Sequence, residues 1–325
     1  MRGVTTTSPG GPEKLTVSEL PDQTPGPDEV VIDVVSAGVN RADLLQRAGS
    51  YPPPEGAPEW PGLEVAGTVA LVGDRVSGWS PGDRVVALLD GGGYAEQARV
   101  RASQVLPAPD GVDLVDAAAL PEAVCTAWNN LVDVGRLARD EWLVVHGGSG
   151  GVGTVAIQLG AALGAHVVTT AGGPDRAARC RGLGATVAVD HRAEDFVAAV
   201  HAATAGRGAD VVLDVVGAAY LERNLDALAP DGRLVVIGMQ KGRRAELDLG
   251  RLLTRRATVA GTTLRSRPAH QKAQIVRDVL AHVWPMVEDG RVRPVVHERL
   301  RLDEAPRAHE LLESGEVFGK VLLVP

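Results

Sequence analysis

The stretch WLVVHGGSGGVGTVAIQLGAAL, residues 142 to 163, constrains the fold more than any other part of the chain. An apolar strand, WLVVH, runs without a break into Gly147-Gly148-Ser149-Gly150-Gly151-Val152-Gly153, and helical apolar spacing resumes directly afterwards. Gly148, Gly150 and Gly153 form G-x-G-x-x-G. The first glycine permits the tight turn, the second lets a pyrophosphate approach the backbone, and the third lets the helix pack closely. A helix that starts here offers unpaired N–H groups and its positive dipole end to phosphates. The spacing therefore predicts a dinucleotide-binding βαβ unit. The same turn also satisfies G-x-S-x-G through Gly147, Ser149 and Gly151, the spacing of a serine hydrolase elbow, for which Asp214 and His297 can be nominated as acid and base. That alternative leaves Gly153 unexplained but stays open at this point.

What surrounds the turn favours the first reading. The runs HVVTT (166 to 170), TVAVD (186 to 190), DVVLDVV (210 to 216), GRLVVIG (232 to 238) and ATVAG (257 to 261) alternate with helical patterns. Continuous apolar strands of this kind predict a doubly wound parallel sheet covered on both faces. Upstream, VVIDVVSAGV (30 to 39), EVAGTVALVG (64 to 73) and RVVALL (84 to 89) are separated by the turn signals PGPDE and SPGD, the texture of an antiparallel, barrel-like domain. One long helix is expected from about His270 to Val287, followed by a closing strand in EVFGKVLLVP that returns to the β texture. The expected organisation is α/β, with a discontinuous β-rich domain over 1–118 and 263–325 and a dinucleotide domain over 119–262.

A chain of 325 residues accommodates two such cores, and 45% hydrophobic with 23% charged residues is ordinary for a globular protein. Aromatic residues make up only 3%, so the cores must rest on Val, Leu, Ala and Ile. The net charge of -8 is spread along the chain, which argues against nucleic-acid or membrane-surface partners. The basic run from Lys241 to Arg256 is expected to be a solvated loop and helix face. Two cysteines, Cys125 and Cys180, cannot build a disulfide framework. With no leader-like segment and no long apolar run, the expected location is the cytoplasm.

The dinucleotide is chosen about 20 residues beyond the turn, where a carboxylate would hold the ribose of NAD and repel a 2′-phosphate. Here HVVTT ends in Ala171-Gly172-Gly173, Arg176 follows, and His191 closes the next strand. NADPH is expected, with Arg176 paired to its phosphate and His191 alongside, although Asp175 stands near enough to serve a ribose. Catalytic zinc is not expected. Zinc alcohol dehydrogenases carry G-H-E-x-x-G where this chain has Gly62-Leu63-Glu64-Val65-Ala66-Gly67, and Asn40 and Asp43 lie where a cysteine ligand and its neighbours would be.

The segments GVNRADLLQRAGSYPPP, GLEVAGTV, GDRVVALL, GGGYAE, LPEAVCTAW, VHGGSGGVGTVAIQLG and GKVLLVP together resemble the zinc-free quinone oxidoreductases, relatives of zeta-crystallin within the medium-chain dehydrogenases/reductases. AGSYPPPEGAP and TTLRSRP bring the chain nearest to the tumour-suppressor-inducible branch. The resemblance implies a GroES-like catalytic domain, a Rossmann domain, a homodimer, and NADPH-dependent reduction of a small-molecule quinone. It further implies that Asn40 and Thr126 flank the nicotinamide and that Tyr51 lines the quinone pocket. Gly150, Gly151 and Val152 would contact the pyrophosphate, Gly172, Arg176 and His191 would hold the adenosine phosphate, while Gly217, Gly238, Met239 and Lys320 would pass beside the cofactor. The last basic and aromatic positions of that phosphate site are often Lys and Tyr in the family. Reduction of enones by the same fold is the alternative activity.

Overall fold

The computed structural model describes residues 1–325 and divides by contacts into two units. The strands, in chain order, are β1 (Arg2–Thr6), β2 (Leu15–Glu19), β3 (Glu29–Gly38), β4 (Glu64–Val72), β5 (Arg84–Leu88), β6 (Gln97–Arg101), β7 (Val105–Pro107), β8 (Trp142–His146), β9 (His166–Ala171), β10 (Val187–Asp190), β11 (Ala209–Asp214), β12 (Leu228–Val236), β13 (Thr258–Gly261), β14 (Val296–Arg301) and β15 (Lys320–Val324).

The first unit comprises Met1–Cys125, Leu264–Asp289 and Pro294–Pro325. Its main sheet runs β14-β15-β3-β4-β5-β7, with β6 also paired to β3. β4 occupies one edge of β3, so the other edge is shared: Glu29 to Asp33 pair with β6, and Ala37 and Gly38 pair with β15. A strand shared in this way turns a corner, which gives the sheet its barrel-like closure. The closing strand thereby arrives beside the residues that follow β3, setting Lys320 close to Asn40. One pairing departs from the expected antiparallel pattern, since β14 and β15 are parallel. Parallel neighbours need a crossover connection, and helix Ala305–Ser314 supplies it.

The second unit comprises Thr126–Thr263 and Gly290–Arg293. Gln158 fixes the short segment by donating to the Arg293 carbonyl and accepting from the Arg293 N–H. The six-stranded sheet has the order β10-β9-β8-β11-β12-β13, every pair parallel, as the alternating apolar runs require. Every residue of β11 is buried, and the adjoining core is almost wholly aliphatic. The order reverses on either side of β8, and such a switch point is where ligands bind in sheets of this type. The long helix expected from His270 to Val287 is two helices, Ala269–His282 and Trp284–Glu288. Pro285 has no N–H to donate and cannot continue the first helix, but it fits the opening turn of the second.

Candidate functional site

In the second unit, β8 ends at His146 and helix Gly151–Ala162 begins after a four-residue turn, Gly147 to Gly150. Gly147 adopts a φ of +70°, which favours glycine. A Cβ on Gly148 would stand 2.0 Å from Thr169 Oγ1, and one on Gly153 would stand 2.1 Å from the Gly147 carbonyl oxygen. Gly148 is therefore required by the approach of β9 to the turn, and Gly153 by how closely the helix packs on it. Gly150 is different, because the nearest atom to a Cβ there is 3.4 Å away, an ordinary contact. Thr154 makes the first helical hydrogen bond, donating to Gly150 at 2.8 Å. The N–H groups of Gly151, Val152 and Gly153 have no intrahelical acceptor, as is usual at a helix start.

Behind the turn lies a buried relay. The Gly147 N–H donates to Thr170 Oγ1 at 3.3 Å, the hydroxyl is 3.0 Å from His146 Nδ1, and His146 Nε2 is 2.7 Å from Asn224 Oδ1. One proton arrangement satisfies every contact: Thr170 accepts from Gly147 and donates to Nδ1, and Nε2–H donates to Asn224. Burial pushes the His146 pKa down to about 4, so the ring is neutral. Phe196 and Tyr220 meet it edge-on, with centroids 4.6 and 5.0 Å away. With both ring nitrogens committed, His146 is no base for Ser149, and no hydrogen bond links Ser149 to any histidine. Asp214 spends its carboxylate on the N–H groups of Val216 and Gly217, and His297 accepts from the Phe318 N–H.

At the next strand end, Ala171 pairs with Asp190. The Asp190 carboxylate accepts from the Gly173 N–H at 2.8 Å and from the Arg192 N–H at 3.0 Å, and the Gly173 contact is the main reason its pKa is lowered. A Cβ on Gly172 would lie 3.3 Å from both His191 Nε2 and Arg192 Nε. Burial lowers the His191 pKa, and the charges of Lys241 and Arg192 act in the same direction. His191 and Arg192 thus adjoin Gly172, and Lys241 acts on His191 through space. Sequence reasoning misses Arg192 and Lys241 because each reaches this place from beyond a strand other than β9; the signal for Arg192 is its position directly after His191. Arg176, on helix Pro174–Arg181, is half-buried and makes no hydrogen bond or ion pair. Gly217 and Gly238 are explained by crossing backbone: their Cβ atoms would lie 2.7 Å from the Gly242 oxygen and 2.8 Å from the Val215 oxygen. Met239 is 62% exposed, and Thr126 is buried.

In the first unit, the side chains of Asn40, Glu64 and Lys320 form a buried triad. Lys320 Nζ donates to Asn40 Oδ1 and Glu64 Oε1, each at 2.5 Å, and Asn40 Nδ2 donates to Glu64 Oε1 at 2.8 Å. Glu64 Oε2 accepts from the Glu122 N–H. A Cβ on Gly38 would fall 2.3 Å from Glu64 Oε1, so that glycine makes room for the carboxylate. The Lys320 ammonium is spent inside this triad. Asn40 does not cap the following helix with its amide; Asp43 accepts from the Asn40 N–H instead, as well as from the Gly62 N–H and Tyr94 hydroxyl. Tyr94 Oη is also 3.2 Å from His309 Nε2. Burial raises the Asp43 pKa to about 6 and lowers that of His309 to about 3. Tyr51 lies against Arg265, whose guanidinium carbon is 5.5 Å from the ring centroid, and Pro52, Pro54 and Ser266 complete a pocket there. The donor set does not fit a zinc centre, since Leu63 is apolar, the Asn40 amide is engaged with a lysine, and no three His, Cys, Asp or Glu side chains converge.

Residues 26–110 match the alcohol dehydrogenase GroES-like domain, and residues 151–281 match the zinc-binding dehydrogenase domain. The chain belongs to the medium-chain dehydrogenase/reductase superfamily. Among its relatives, a quinone oxidoreductase of Pseudomonas aeruginosa is 34% identical over 97% of this chain and 97% of its own length. A phenolphthiocerol/phthiocerol polyketide synthase polypeptide of Mycobacterium tuberculosis is 33% identical over 97% of this chain, which spans only 14% of that much longer protein. Among solved structures, an NAD-dependent alcohol dehydrogenase matches with a TM-score of 0.90 and 32% identity over 100% of both chains. The Escherichia coli quinone oxidoreductase complexed with NADPH matches with a TM-score of 0.90 and 30% identity over 100% of both chains. The CurK enoyl reductase matches with a TM-score of 0.88 and 25% identity over 99% of this chain and 98% of that one.

Proposed function

We propose that this protein is an NADPH-dependent quinone oxidoreductase that works without a metal ion. The observation that carries the cofactor choice is Arg192 and His191 beside Gly172, with the Lys241 charge acting on His191, a ready partner for a 2′-phosphate. In this reading the N–H groups of Gly151, Val152 and Gly153 hold the pyrophosphate, and the absence of a Cβ at Gly150 admits it closely. Arg176 is a further candidate for the phosphate, while Gly217, Gly238 and Met239 border the cofactor. Bound NADPH would supply the hydride. The protein's part is to orient: Asn40 and Thr126 position the nicotinamide, Lys320 and Glu64 fix the Asn40 amide, and Tyr51 lines the quinone pocket. Because both Asn40 amide hydrogens are used by Glu64 and Gly38, Asn40 can act toward a ligand only as an acceptor.

Resemblance to the quinone oxidoreductases supports the substrate class, a homodimer and a cytoplasmic location. No helix is long and apolar enough to cross a membrane. The likeness to an enoyl reductase keeps enone reduction as a second reading. Titration calorimetry should show tighter binding of NADPH than NADH, and Arg192→Ala should remove about tenfold of that preference. Equal affinities would refute the cofactor choice. Turnover of para-quinones should exceed that of simple enones and survive chelation; efficient enone reduction with negligible quinone turnover would favour the second reading.

A further inference from the structure

Arg265, in the first unit, is only 5% exposed. Its Nε donates to the Asp90 carbonyl at 2.7 Å, and Nη1 approaches the Tyr51 carbonyl at 3.5 Å, the outer limit for a hydrogen bond. The other terminal nitrogen, Nη2, has no hydrogen-bond partner. Nor does any carboxylate pair with this guanidinium. The Asp90 carboxylate is taken by the buried Lys272 ammonium, which also donates to the Arg265 carbonyl. Asp43 is committed to two backbone N–H groups and the Tyr94 hydroxyl and acts on Arg265 only through space, with no direct ion pair between them. Lys272 and Asp90 thus close as a direct pair, whereas Arg265 has no carboxylate in direct contact. A guanidinium cannot escape its charge by losing a proton, and a buried cation without an anion is costly to maintain.

The same residue forms a wall of the pocket whose other sides are Tyr51, Pro52, Pro54 and Ser266. An aromatic face and two proline rings suit a flat, apolar ligand. The cation at its side suits an oxygen bearing negative charge. We propose that this pocket selects planar hydroxyquinones ionised at neutral pH, with the Arg265 guanidinium donating to the ionised oxygen. The proposal deepens the quinone reading and rests on it. Arg265 sets specificity, and it also positions Tyr51 through the carbonyl contact and its place over the ring.

The test is equilibrium binding to the full-length protein, saturated with NADP⁺, of 2-hydroxy-1,4-naphthoquinone and its 2-methoxy analogue at pH 7.5. The two share a ring system, but only the hydroxy compound is an anion. The hydroxy compound should bind the native protein about tenfold more tightly or better. Arg265→Gln should erase most of that ratio, and Arg265→Lys should keep part of it. Equal binding of the two ligands by the native protein overturns the proposal, and needs no variant to fold. So does an equal loss for both in Arg265→Gln. NADPH-driven turnover of neutral para-quinones, followed in parallel, addresses the underlying reading alone: turnover without anion selectivity rejects this proposal only, and binding without turnover of any quinone rejects the reading.

Discussion

In the second unit the polar side chain behind the glycine turn is His146, a neutral ring held between Thr170 and Asn224, and the groups that would face a ligand are backbone N–H donors. In the first unit the corresponding buried group is Lys320, a full charge held between Asn40 and Glu64. The first arrangement derives its precision from steric exclusion around glycines, and the second from ion pairing in a desolvated site. They should fail differently. A backbone cradle is damaged by adding an atom, whereas an ion-paired triad is damaged by removing a charge.

The largest effect is expected in the triad. Glu64→Gln keeps the shape and an acceptor for Asn40 but leaves the Lys320 ammonium buried without an anion, at a cost of about 3–5 kcal/mol. Urea unfolding should report it. Adding Lys320→Met should recover a large part of the loss, because two apolar or neutral groups are tolerated where one charge is not. If the double variant is no more stable than Glu64→Gln alone, charge imbalance is not what holds the triad.

The cradle is probed by Gly153→Ala, whose new methyl would collide with the Gly147 carbonyl. Overpacking of this kind costs about 1–3 kcal/mol, and if it falls on the bound geometry NADPH affinity drops roughly ten- to hundredfold. Gly150→Ala makes the contrast sharper. Its methyl meets nothing closer than 3.4 Å in the protein, so stability should stay near native while NADPH binding falls. Calorimetry and thermal melts on the two variants separate the cases; a Gly150→Ala protein that binds NADPH normally would remove the pyrophosphate from that position.

The parallel sheet and its turn are legible in the sequence because the signal is local: WLVVH reads as one buried strand, and the glycines follow it within seven residues. The β-rich first domain is legible for the same reason, through short runs and turns. The triad is not, because Asn40, Glu64 and Lys320 are brought together only by the pairing of β3 with β4 and β15. Its consequence is a defined job for the Lys320 ammonium, which is bound to Asn40 and Glu64. Arg192 escapes notice in favour of Arg176 when distance along the chain is counted from β9, whereas β10 lies beside that strand in space. The break in the long helix at Val283 is readable from Pro285, which cannot sit in a helix interior without removing a hydrogen bond.

A subtler difference concerns protons. In the second unit burial lowers the His146 pKa to about 4 and raises that of Asp214 to about 6. A depressed histidine makes stability rise with pH, since between its folded and ordinary values the unfolded chain binds a proton that the native protein refuses. A raised aspartate does the opposite over its own interval, because the native protein keeps a proton that the unfolded chain has lost. Between about pH 4 and pH 6 the two contributions cancel, one proton against one. His309 and Asp43 offset one another similarly in the first unit, so these two pairs together add almost no slope across this window. Asp214→Asn removes one side of the balance and leaves His146 unopposed. Its stability should then climb with pH by at most about 1.4 kcal/mol per unit, seen as a rising urea midpoint from pH 4 to pH 6. His146→Gln should tilt the slope the other way, with stability falling as pH rises, because Asp214 ionises in the unfolded chain before it does in the fold. A native protein already steep in this range, with Asp214→Asn no steeper, would show that Asp214 is ionised in the fold, and that the second unit holds a charge as the first one does.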